Sequence, residues 1–133
     1  MNPTIEPLTL FYALFALTAL GIVASIATGK LGRRKAHLAC VIAMTTFLLA
    51  TIWQALELAK LYDFPPDRYA IHRPIARLAF LSLLGPWVTG PLYWKGKVGR
   101  RAHLAGVFFF LLCAAAAVGT GVWMLAGAAP KPG

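Results

Sequence analysis

Gly29-Lys30-Leu31-Gly32-Arg33-Arg34-Lys35-Ala36-His37 and Gly96-Lys97-Val98-Gly99-Arg100-Arg101-Ala102-His103 are two copies of one motif. In each, a basic loop hands a histidine to an apolar run of membrane-spanning length. A duplicated hairpin explains this: two apolar spans joined by a short basic loop, then the same unit again. The expected fold class is all-α, a transmembrane four-helix bundle built from two duplicated helical hairpins, forming a single transmembrane domain over the whole chain. A pseudo-two-fold relation between the halves would set both histidines at one depth, facing each other.

Composition agrees with the motif. Of 133 residues, 59% are hydrophobic and 13% charged, a balance that would not keep a monomer dissolved. Four apolar stretches, 8–28, 36–59, 71–94 and 102–126, each come near the roughly 20 residues that cross a bilayer as a helix. Open strands would leave backbone donors and acceptors unpaired in hydrocarbon, and no alternating ten-residue pattern of a barrel strand occurs. The first stretch has no basic flank and carries Glu6, so it is expected to be a retained span and not a cleaved signal peptide.

The formal charge of +9 does not point to nucleic acid, because the basic residues sit in short loops beside apolar runs. Lys30, Arg33, Arg34 and Lys35 fill the first loop and Lys95, Lys97, Arg100 and Arg101 the third, with no acidic residue in either. The positive-inside rule places these loops in the cytoplasm. Both termini would then be extracytoplasmic, together with a loop over 61–70 in which Asp63 and Asp67 offset Lys60 and Arg68.

Cys40 and Cys113 fall at different distances from their helix starts, which suggests neither a disulfide nor a metal pair. No Cys-x-x-Cys-His occurs, so any haem would be held without thioether links. On the fourth span, His103 shares a helical stripe with Gly106, Val107, Phe110, Ala114, Ala117 and Gly121; on the second, His37 shares one with Cys40, Val41, Met44, Leu48 and Thr51. Small residues on such a stripe admit either a neighbouring helix or the flat face of a ring.

His72 opens the third span at the opposite face. It precedes Thr89-Gly90 by the interval at which His103 precedes Thr120-Gly121, 17 residues (89 − 72 and 120 − 103). Antiparallel spans then bring Thr89 and Gly90 to the level of His37 and His103, and Gly119, Thr120 and Gly121 to the level of His72. Trp53, Gln54, Glu57, Trp123 and Met124 share that outer layer. A quinone would find aromatic walls there and a protonatable pair in Glu57 and His72; an ordinary aromatic belt explains the same tryptophans. Pro86 removes the helical donor for the carbonyl of Ser82 and should bend the third span, whereas Pro74 is expected in a first turn, where proline is tolerated.

Four apolar helices with histidines at the ends of alternate helices, flanked by arginines and small-residue stripes, resemble the small membrane-embedded b-type cytochromes. The His-to-Thr-Gly spans are similar to those of cytochrome b subunits that anchor periplasmic oxidoreductases. The resemblance implies haem b bound without covalent links, His37 and His103 as its axial iron ligands, and Arg33, Arg34, Arg100 and Arg101 as partners of the propionates. It also implies electron exchange with quinone or a larger redox complex, and residence in a bacterial inner membrane beside other membrane or periplasmic redox subunits. The chain departs from two-haem relatives in offering only His72 at the outer face; a second haem would need Met124 or a group from another chain.

Other chemistries fit less well. No third ligand accompanies His37 and His103 as zinc would require, and no catalytic triad, Walker loop or dinucleotide fingerprint is present. An electron-transfer subunit is expected in preference to a self-contained enzyme. Two alternatives remain open: a non-catalytic structural or assembly subunit of a respiratory or photosynthetic complex, and a subunit that binds pigment through single histidines.

Overall fold

A computed structural model describes residues 5–132, with side chains over 7–132. The described residues form α1 (Ile5–Lys30), α2 (Arg34–Leu61), β1 (Tyr62–Asp63), α3 (Pro66–Ser82), α4 (Leu84–Trp94), α5 (Arg100–Leu125) and β2 (Ala129–Pro130). Helices α3 and α4 are two parts of one span. The fold is therefore all-α with four spans, Pro7–Lys30, Arg34–Leu61, Pro66–Trp94 and Arg100–Leu125, each long and apolar enough to cross a membrane. They pair as two hairpins, and each hairpin is a compact unit. The first unit holds α1, α2, β1 and the tail from Pro130; the second is Phe64–Ala129.

The two copies of the Gly-Lys-x-Gly motif end the leading helix in the same way but with different glycines. After α1, Gly32 takes φ +67°, its N–H bonds the carbonyl of Gly29 at 3.2 Å, and that of Arg33 bonds Thr28 at 3.1 Å. After α4, Gly96 takes φ +68°, its N–H bonds Tyr93 at 3.0 Å, and that of Lys97 bonds Leu92 at 2.9 Å. Both are Schellman caps, which need a residue that tolerates the left-handed region. The cap uses the second glycine of the first copy and the first glycine of the second copy.

In the first hairpin, α1 presents small residues to larger ones on α2. Thr18, Gly21, Ser25 and Gly29 recur at helical spacing on one face. A Cβ built on Gly21 would lie 2.7 Å from Cβ of Met44, so only glycine allows this approach. The buried hydroxyls of Thr18 and Thr51 meet at 3.2 Å; each has one proton and also reaches a carbonyl of its own helix, Leu14 at 2.9 Å and Phe47 at 2.8 Å, so an interhelical bond forms only when one of them turns from its carbonyl. At the end of α2, Lys131 of the tail donates its backbone N–H to Leu61 at 2.9 Å and its Nζ to the carbonyl of Ala59 at 3.1 Å. Two of the orphan carbonyls at that helix end are satisfied this way. Strand β2 pairs with β1 beside this cap.

The third span differs from the sequence expectation in three respects. It begins at Pro66, not near residue 71, and α2 runs to Leu61, so the loop over 61–70 shrinks to a short connection. Pro66 in the first turn and the acidic Asp67 beside the positive end of the helix dipole explain the early start. Pro74 consequently lies inside α3, where it removes the donor for the carbonyl of Ala70. Pro86 acts as expected: the helix breaks at Leu83, whose N–H falls back to Phe80 at 3.2 Å. The break lets main chain approach main chain, and a Cβ built on Gly106 would lie 3.3 Å from the carbonyl carbon of Gly85.

Two ion pairs and one arginine contact lie at this connection. Lys60 bonds Glu57 at 2.7 Å, one turn away on its own helix, and Asp63 lies 3.8 Å from Lys131. Arg68 donates to the carbonyl of Trp123 at 2.8 Å and covers the indole ring at 5.0 Å. Both cysteines are free thiols; Cys113 is buried and Cys40 half-buried.

Candidate functional site

Each histidine lies on the helix face turned toward its own hairpin neighbour, and the donor arithmetic fixes its tautomer. His37 is in the first turn of α2, and its Nδ1 is 2.8 Å from the main-chain oxygen of Ser25 on α1. A carbonyl only accepts, so Nδ1–H donates. The ring rests on Gly29, where a Cβ would come within 3.1 Å of Nδ1.

His103 is held the same way by α4. The Thr89 hydroxyl gives its single proton to the carbonyl of Gly85 at 2.7 Å, so its lone pair accepts Nδ1–H of His103 at 3.1 Å. Gly90 makes room for the ring, with a Cβ position 3.5 Å from Cε1. Tyr93 lies parallel to the imidazole at 3° and 6.0 Å between centroids.

His72 repeats the arrangement at the other end of the second hairpin. Thr120 donates to the carbonyl of Ala116 at 2.9 Å and accepts Nδ1–H of His72 at 3.0 Å. A Cβ on Gly121 would meet Cε1 of His72 at 3.2 Å. Spans three and four thus carry the same His and Thr-Gly pair at the same interval and run antiparallel, so each clasps the histidine of the other. The levels read from the sequence for Thr89-Gly90 against His103 and for Thr120-Gly121 against His72 are those found. Gly119, assigned to the same level, has open space about it.

In the neutral form of each imidazole, donation from Nδ1 puts the lone pair on Nε2. Metal-binding histidines are usually held in this way, with the far nitrogen donating to a carbonyl or hydroxyl that orients the ring and raises its basicity. Among the described residues no three His, Cys, Asp or Glu side chains group around one point.

The stripes through His37 and His103 also face the hairpin neighbours. Met44 meets Gly21, Gly106 meets Gly85, and Gly121 meets His72, while Thr51 and Phe110 are buried. Arg33 caps α2 without a side-chain cap bond, and Arg34, Arg100 and Arg101 open α2 and α5. All four are exposed, and among the described residues none meets a carboxylate.

The outer-layer residues are distributed over both units. In the first, Trp53 is exposed, Gln54 donates to the carbonyl of Pro7 at 3.0 Å, and Glu57 holds Lys60. In the second, His72 is clasped by Thr120, Trp123 lies under Arg68, and Met124 is buried. Glu57 and His72 are thus each engaged within their own unit.

Sequence reasoning missed Ser25 and Gly29 as the seat of His37, Tyr93 as the neighbour of His103, and Arg73 and Arg77 on α3. The Gly21-x3-Ser25-x3-Gly29 spacing was a usable signal for the first pair. Comparison with protein-family models, with curated proteins and with solved structures finds no match.

Proposed function

We propose that this protein is a membrane electron-transfer subunit in which His37 and His103 ligate a non-covalently held b-type haem. The observation that carries the reading is the shared tautomer: in both copies of the repeat, Nδ1 donates to the neighbouring helix and the lone pair falls on Nε2. When bound, the haem supplies a one-electron iron couple.

The chain's own residues do the rest. Ser25 and Thr89 fix the ring orientations and raise the basicity of Nε2. Gly29 and Gly90 allow each ring to approach its neighbour helix closely. Arg33, Arg34, Arg100 and Arg101, exposed and without carboxylate partners in the described residues, are suited to bidentate pairing with propionates. In this reading the basic loops face the cytoplasm, both termini face outward, and a quinone or a larger redox subunit of a bacterial inner membrane exchanges the electron.

The test is a reduced-minus-oxidised absorption spectrum of the purified protein. Narrow bands of six-coordinate haem are expected in the wild type, and H37A and H103A should each abolish them. A colourless preparation with intact helical circular dichroism contradicts the proposal.

A second reading, a non-catalytic structural or assembly subunit, draws support from His72. It is clasped like His103 although no other histidine of the chain is expected at its membrane face. In that reading all three imidazoles serve to join helices.

A further inference from the structure

Arg73 and Arg77 stand one helical turn apart on α3 and both are exposed. Among the described residues neither makes an ion pair or hydrogen bond. Their depth makes this notable. At about 1.5 Å per residue, the 29-residue span Pro66–Trp94 runs roughly 43 Å, some 13 Å more than a hydrocarbon core of about 30 Å. Arg73 lies roughly 11 Å and Arg77 roughly 17 Å beyond Pro66 along the helix. Even with the whole excess length placed at the Pro66 end, Arg73 falls at the headgroup boundary and Arg77 just inside it. A guanidinium at that depth is carried back along its methylene stem to an anion.

The surroundings favour a lipid as the source of that anion. Asp67, the one carboxylate on α3, pairs with neither arginine among the described residues, and Arg68 is committed to Trp123. At the same level, in the register set by His72 on Gly121 and Arg68 on Trp123, α5 exposes Val118 and Val122. Gly119 opens there onto empty space. An acyl chain thus has exposed apolar surface at the level of two guanidiniums suited to phosphate.

We propose that Arg73 and Arg77 bind the phosphate headgroup of an anionic phospholipid at the Pro66 end of the second hairpin. This goes beyond the haem reading and does not depend on it.

The test is native mass spectrometry of the full chain released from detergent holding equal phosphatidylglycerol and phosphatidylcholine. The wild type should retain phosphatidylglycerol preferentially, and R73Q/R77Q should lower that retention by about fivefold per arginine removed. R100Q/R101Q, altered at the other end of the hairpin, should leave most of the preference intact. R73K/R77K, which keeps charge without the bidentate fork, should retain part of it and keeps the test decisive if the glutamine variant misfolds. The proposal is overturned by undiminished phosphatidylglycerol retention in R73Q/R77Q, by loss confined to R100Q/R101Q, or by equal retention of both lipids in wild type and R73K/R77K. Displacement of the lipid by an equal concentration of inorganic phosphate would assign the arginines to a free anion instead.

Discussion

The first hairpin is continuous and tight, whereas the second is broken and clasped at both ends. In the first, Gly21 seats Met44, Thr18 meets Thr51, and the histidine leans on a main-chain carbonyl. In the second, the helix breaks at Leu83, two backbones approach at Gly85 and Gly106, and two threonine hydroxyls hold two histidines. The same basic motif and the same imidazole geometry thus rest on different supports. What the halves share is the orientation of the ring; what they do not share is the atom that enforces it. A carbonyl cannot be deleted by changing a side chain, but a threonine hydroxyl can, so the second hairpin is where the device can be taken apart.

The largest expected effect separates the hairpins by packing. G21A places a methyl 2.7 Å from Cβ of Met44 and should lower the stability of the first hairpin by about 1–3 kcal/mol, the usual cost of overpacking. G85A meets only ordinary contact at 3.5 Å and should cost far less, and G119A, facing open space, should change nothing. Denaturant titration of helical circular dichroism in mixed micelles checks the series. Equal losses for G21A and G85A would remove the contrast between the two interfaces.

A smaller effect isolates the clasp. T89A should cost about 0.6 kcal/mol, and at most about 1.7, the range for single interhelical hydrogen bonds in membranes. T89S keeps the hydroxyl and should be close to neutral. If the protein holds haem, T89A should also shift the redox midpoint or broaden the reduced bands while T89S leaves them in place. A T89A protein indistinguishable from wild type by both measures would show that Thr89 does not orient His103.

Much of this was legible in the sequence. The repeat gave the hairpins, the length of the apolar runs gave the spans, and Pro86 gave the break. The constant rise of a helix was enough to put Thr89-Gly90 at the level of His37 and His103, and Thr120-Gly121 at that of His72, but not to show which side chains meet. Other features left weaker traces. A main-chain acceptor such as the carbonyl of Ser25 has no residue type to announce it, and either glycine of Gly-Lys-x-Gly can supply the left-handed cap. Asp67 and Arg68 read as loop because of their charge, yet a long span can carry them beyond the hydrocarbon. That same excess length is what places Arg73 and Arg77 near the headgroups.

Each imidazole donates from Nδ1, which in the neutral ring puts the lone pair on Nε2. Nuclear magnetic resonance of the protein labelled at its imidazole nitrogens, reconstituted in lipid near neutral pH, reads this directly. All three histidines should show a protonated Nδ1 together with an unprotonated, hydrogen-bonded or metal-bound Nε2. An Nε2–H tautomer at His37 or His103 would contradict both the clasp geometry and the ligand role built on it.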